Sequence, residues 1–88
     1  EQRRLNDPAV QSRSALYLCK EEIKKSLREP DSARWLSDSV DRKESGLFYV
    51  TGEVAARNGF GGISSQQYEC LFRLSDGNWY RMGANFVE

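Results

Sequence analysis

The sequence predicts an α+β domain, with one long amino-terminal helix packed on a three- to four-stranded antiparallel meander sheet. Three observations carry that expectation. Apolar residues recur at spacings of three and four between Ala9 and Arg28, the period of a helix with one buried stripe. They alternate with polar residues from Leu47 to Asn58 and again from Gln67 to Leu74, the period of a strand with one buried face. The links between segments are short and rich in turn-forming residues, so neighbours in sequence are expected to pair in space.

The helix begins at Asp7-Pro8, because aspartate accepts hydrogen bonds from the first free amides and proline already holds the φ of the first helical position. Leu16, Cys19, Ile23 and Leu27 form its stripe, with Ala9 and Ala15 nearby. The opposite face carries Lys20, Glu21, Glu22, Lys24 and Lys25, where Glu21 and Lys25 stand in the favourable order for an i,i+4 pair. Glu29-Pro30 stops the helix, since proline donates no amide hydrogen and pushes the preceding residue out of the helical region. A turn at Asp31-Ser32-Ala33 leads to a first strand over Arg34 to Val40, and the polar run Asp41 to Gly46 reads as a connecting loop.

The second strand places Phe48, Val50, Gly52, Val54 and Ala56 on the core face and Tyr49, Thr51, Glu53 and Arg57 on the wet face. Gly52 and Ala56 are small, which predicts close approach of the helix there, or a bulge. The third strand turns Tyr68, Cys70, Phe72 and Leu74 inward. Ser75-Asp76-Gly77-Asn78 is tight-turn chemistry and makes a hairpin with Trp79 to Val87.

With 88 residues the chain is a single domain, 1–88, with 1–7 as a flexible lead-in. Thirteen basic residues balance thirteen acidic ones, so no net field steers the molecule toward nucleic acid or an anionic membrane. Arg3, Arg4 and Arg13 cluster near the amino end, but Glu1, Asp7, Glu21, Glu22 and Glu29 are interleaved with them. No apolar run approaches the roughly 20 residues of a membrane span. The chain starts at Glu1 without methionine, as would a mature or trimmed product whose export signal or membrane anchor has been removed, and as would equally a chain cut at a cloning boundary.

Catalytic and metal chemistry find little support. The absence of histidine removes the commonest general base near neutral pH and the commonest metal ligand. Two distant cysteines do not make a zinc site. The carboxylate pairs Glu21/Glu22 and Asp38/Asp41 lie in wet surroundings that would not shift a pKa. No catalytic residue, metal or cofactor is expected. Cys19 in the helix stripe and Cys70 on the inward face of the third strand point toward each other, and a disulfide between them would imply an oxidising compartment; two buried free thiols are the alternative.

The stretch Arg57-Asn58-Gly59-Phe60-Gly61-Gly62 is not a phosphate cradle, because it holds no lysine and leads into a strand rather than a helix. Asn58 and the glycines supply the positive φ of a connection between strands. Phe60 either tucks over the end of the core or stands out as an aromatic anchor.

Cys19, Leu27, Pro30, Ser32, Ala33 and Trp35, followed by Gly52, Val54, Ala56, Asn58, Phe60, Gly61 and Gly62, form a pattern. It resembles a group of small proteins of proteobacteria and their phages in which a cysteine-bearing helix precedes a Leu-x-x-Pro-x-Ser-Ala-x-aromatic segment and a Gly-x-Val-x-Ala-x-Asn-x-Phe-Gly-Gly strand. One position departs from it: Thr51 stands where many relatives carry cysteine. The resemblance implies an extracytoplasmic setting, often with an upstream signal or lipid attachment, and brings no catalytic residue. The resulting expectation is a non-enzymatic module that contacts another protein at the bacterial envelope through the outer face and edges of its sheet, with Tyr49, Phe60 and Trp79 as anchors. A small-ligand domain with a pocket near the glycine loop, and a nucleic-acid-binding phage regulator, are the competing classes. Exposure of Phe60 separates the first from the second, and salt dependence separates off the third.

Overall fold

The computed structural model describes residues 7–44 and 46–87. Helix α1 (Pro8–Lys24) is followed by a 3-10 turn (Pro30–Ser32) and strands β1 (Arg34–Glu44), β2 (Leu47–Arg57), β3 (Ile63–Ser75) and β4 (Asn78–Val87). The strands form one antiparallel sheet in the order β1-β2-β3-β4, with α1 on one face, as the sequence patterns require. The flexible lead-in expected over 1–7 falls on residues 1–6, outside the described residues, and on Asp7. Asp7 is structured: its carboxylate accepts from the Ala9 amide at 2.9 Å and caps α1.

Helix α1 ends at Lys24 rather than Arg28. The next three amides, of Lys25, Ser26 and Leu27, each bond the carbonyl three residues back, so the last turn tightens before Pro30 turns the chain. Leu27 still packs against the core from this turn. The ion pairs on the polar face run Glu21–Lys24 and Glu22–Lys25, i,i+3 pairs in place of the Glu21–Lys25 pair. That face is also less idle than a purely solvated one. Lys20 reaches Asp38 at 3.2 Å and lies 5.2 Å from the Trp35 ring centroid, and Glu22 accepts from Arg81 of β4 at 2.7 Å. Hydrogen bonds from Lys25 and Arg81 hold the Glu22 carboxyl below its ordinary pKa.

Two strand boundaries differ from expectation. β1 runs through Asp41–Glu44, where a loop was expected, and the chain reverses within two residues between Glu44 and Leu47. Charged residues serve an edge strand because they discourage pairing with other chains. Arg42 and Lys43 also lie over the rings of Phe48 and Tyr49. β3 begins at Ile63 instead of Gln67. The Ser75–Asn78 reversal has Asp76 at φ 53° and Gly77 at φ 79°, both positive as a type I′ turn demands.

The core lies between α1 and the sheet. Ala15, Cys19 and Ile23 meet Phe48, Val50 and Val54 of β2 and Tyr68, Cys70 and Phe72 of β3. Cys19 and Cys70 form a disulfide with Cα atoms 5.7 Å apart, and both residues are buried. A disulfide of this kind belongs to an oxidising environment.

Tyr68 is buried beside β1, with Trp35 edge-on at 5.6 Å and the carbonyl of Ser37 3.5 Å from its hydroxyl. Burial, aided by the Asp38 carboxylate, pushes the phenol up to about 12. The folded value lies above the unfolded one, so the stabilisation is complete below the ordinary tyrosine value and is lost as pH climbs through the folded value. Thermal melts at about pH 9 and about pH 11.5 should therefore show the wild type losing stability more steeply than Tyr68→Phe. Equal slopes for the two proteins would contradict the assignment.

Candidate functional site: the β2–β3 hairpin arm

The β2–β3 hairpin runs past the start of β1. The first residue of β1 pairs with Ala55, and the last described residue of β4 pairs with Gln67. Ala56 and Arg57, with Ser64 and Ile63 opposite them, therefore project beyond β1 as a hairpin arm. The arm is tied down on its β1 side, where the Arg57 amide donates to the Ser32 hydroxyl at 2.9 Å.

Asn58 organises the loop at the tip. Its side-chain oxygen accepts from the amides of Phe60 (2.9 Å) and Gly62 (3.1 Å), its side-chain nitrogen donates to the Ser64 hydroxyl (2.8 Å), and its backbone amide donates to the Gly62 carbonyl (2.9 Å). Such side-chain-to-backbone bonding is the ordinary use of asparagine in a turn. Gly61 sits at φ 84°, where glycine is favoured. A Cβ on Gly59 would come within 2.7 Å of the Arg28 Nε, a flexible side-chain end that can move aside. The one large side chain of the loop, Phe60, is 98% exposed. It does not tuck over the core, because the tip lies beyond the last paired residue of β1. Ile63, at the foot of the loop, is 70% exposed.

The other two expected anchors are placed differently. Tyr49 stands on the outer face, half-buried, with its hydroxyl donating to Glu69 at 2.7 Å, a bond that raises the phenol pKa. It borders a shallow depression of about 380 Å³ that Thr51, Glu53 and Gln67 also line. Trp79 does not belong to the outer face. It packs on the helix side against Phe48 and Phe72, with ring centroids 5.1 and 6.4 Å away, and closes one wall of a groove beside Tyr17 and Leu18. Tyr49, Phe60 and Trp79 are thus three separate places, not one patch. Asp38 and Asp41 are likewise apart: Asp38 faces α1 and pairs with Lys20, whereas Asp41 pairs with Lys43.

Where the arm meets the end of the helix there is a hollow of about 210 Å³. Leu27, Val54 and Ala56 line it together with Arg28, Ser64 and Gln66. Phe60 is not among its walls. The hollow lies where the small-ligand alternative placed its pocket, near the glycine loop; the sequence pattern missed the overhang, although the spacing Asn58-x-Phe60-x-Gly62 carried the signal for the clamped loop. Among the described residues no group of acidic or cysteine side chains is placed to hold a metal ion, and no helix is long and apolar enough to cross a membrane. No protein-family model, curated protein or solved structure matches the chain.

Proposed function

We propose that the protein is a non-enzymatic module of the bacterial cell envelope, phage-associated in origin, that works by gripping another protein with the β2–β3 arm. The observation that carries this reading is the near-complete exposure of Phe60 on a loop held by four hydrogen bonds to one residue, Asn58, three of them to its side chain. An aromatic ring left in water has apolar surface to bury, and aromatic residues dominate binding energy at protein interfaces. A loop already fixed in shape loses little freedom on binding. The buried disulfide supports an oxidising setting, and the resemblance to exported proteobacterial proteins supports the envelope. The small-ligand reading is weaker, because Phe60 is exposed and does not line the hollow beside the loop. The nucleic-acid reading has no charge to draw on, with thirteen basic and thirteen acidic residues.

Photo-cross-linking tests the proposal. Phe60→p-benzoylphenylalanine, in cells producing the protein from its own gene, should give a covalent adduct with one defined protein. The same replacement at Asp76, in the turn at the opposite end of the sheet, should not. Equal adducts from both positions, or none from position 60, would reject the arm as the contact.

A further inference from the structure

We infer that Asn58 and Gly59 form a self-modification site, in which the Gly59 backbone nitrogen attacks the Asn58 side-chain carbonyl, expels ammonia and leaves a succinimide ring that water reopens. The reaction needs no partner, so it stands or falls apart from the protein-contact reading.

The pair is singular in this chain. Its four asparagines precede Asp7, Gly59, Trp79 and Phe86, and only Asn58 is followed by a residue with no side chain to obstruct the approach of the nitrogen. Sequence alone does not make the pair reactive, since a nitrogen engaged in a hydrogen bond or a side chain turned away would be inert. Neither condition holds here. Gly59 is exposed, and its amide donates to no group among the described residues. The Asn58 Oδ1 accepts from the Phe60 amide at 2.9 Å, and that bond closes a ring through the Gly59 peptide, which holds the side-chain carbon beside the Gly59 nitrogen. Reacting atoms kept in contact have little entropy left to lose.

The loop also serves the transition state. Attack turns Oδ1 into an oxyanion, and two backbone amides are already aimed at it, those of Phe60 at 2.9 Å and Gly62 at 3.1 Å. Such preset donors stabilise developing charge. The leaving nitrogen, Nδ2, lies 2.8 Å from the Ser64 hydroxyl and donates to it in the resting loop. Once the carbon is tetrahedral this nitrogen regains its lone pair, the contact reverses, and Ser64 supplies the proton with which ammonia departs. On the other side, the Arg28 Nε stands 2.7 Å from where a Cβ of Gly59 would lie. Its positive charge favours loss of the Gly59 amide proton.

The atoms balance. A bond forms between the Gly59 nitrogen and the Asn58 Cγ while the Cγ–Nδ2 bond breaks. The Gly59 proton passes to solvent hydroxide and Ser64 recovers its own from water, so the net change is the loss of one ammonia. Water then adds at one ring carbonyl. Opening at the side-chain carbonyl gives aspartate, which keeps an acceptor for the Phe60 and Gly62 amides but has no amide hydrogen for Ser64. Opening at the main-chain carbonyl gives isoaspartate, whose backbone runs through Cβ, and the four bonds that clamp the loop around Phe60 lose their common frame.

Incubation of the purified chain at mildly alkaline pH, followed by peptide mapping, tests the inference. The peptide holding Asn58 should lose one ammonia and then gain one water, while those holding Asn78 and Asn85 stay unchanged. The folded protein should react faster than the same chain unfolded in urea by about tenfold or more, because the unfolded chain has the sequence but neither the amide pair nor Ser64 in place. Ser64→Ala should slow the folded protein severalfold and leave the rate in urea as it was. Melting curves establish that Ser64→Ala folds; the comparison of folded with unfolded wild type carries the test if it does not. A folded rate at or below the unfolded rate overturns the proposal, as does a folded Ser64→Ala protein that reacts as fast as the wild type.

Discussion

Replacing Cys19 and Cys70 together by alanine is expected to lower the stability of the fold by roughly 4 kcal/mol in the chain-entropy model. The bond joins residues 51 positions apart, and a link across a segment that long removes much of the freedom of the unfolded chain. A domain of 88 residues holds on the order of 4–13 kcal/mol in all, so the loss is a large share of the total. At about 4–8 °C per kcal/mol for this size, the melting temperature should fall by about 20 °C or more. The effect falls on one interface. Cys19 stands between Ala15 and Ile23 on the buried face of α1, and Cys70 lies in the middle strand pair opposite Val50, so the bond staples the single helix to the centre of the sheet. Alanine rather than serine is the informative substitution, since both positions are buried and a hydroxyl would add its own desolvation penalty. Reductant should lower the melting temperature of the wild type, raise its mass by two hydrogens and leave the double variant unchanged. A double variant that melts within about 5 °C of the wild type would show that the packing alone holds the helix.

The parts of the fold legible in the sequence are those where burial is one-sided. Phe48, Val50 and Val54 alternate with wet residues along β2, Cys19 and Ile23 share a helix stripe, and both periods point to the same seam; that is why the cysteine pair could be aimed before any coordinates. Where both faces are wet, the alternation vanishes. Asp41–Glu44 at the end of β1 and Ile63–Gln66 at the start of β3 are exposed strand residues, indistinguishable from loop by hydrophobic pattern. Trp79 shows the converse limit. Its strand was legible, but the face it takes depends on its pairing with Leu74, whose own side chain is half-buried. Phe60 could be read as unusual for a turn, yet its direction depends on how far the hairpin runs past the core, a matter of register between strands.

Gly52→Val should destabilise the protein by about 3 kcal/mol, at the upper end of what overpacking usually costs. Small residues in the inward row of β2 predicted close approach of the helix; what approaches Gly52 is instead the ring of its cross-strand partner. Gly52 pairs with Tyr68 on one side and Asp38 on the other, and a Cβ added to it would run into the Tyr68 hydroxyl and the Ser37 carbonyl. Neither can yield cheaply. Tyr68 is held among Trp35 and the core, and the Ser37 carbonyl is backbone next to a register irregularity in β1. The glycine is therefore the space into which tyrosine folds, and its missing side chain lets a large ring be buried in a thin two-layer domain. The clash begins with the first added carbon, so Gly52→Ala should already produce most of the effect. Combining Gly52→Ala with Tyr68→Phe removes the hydroxyl but leaves the carbonyl, and should recover less than half of the loss. The strain should be relieved by movement of β1, an edge strand paired on one side only, rather than of β3, which the disulfide holds to the helix. Amide hydrogen exchange in Gly52→Ala should accordingly quicken along β1 while β3 stays protected. Uniform loss of protection across the sheet would place the strain in Tyr68 and the core instead.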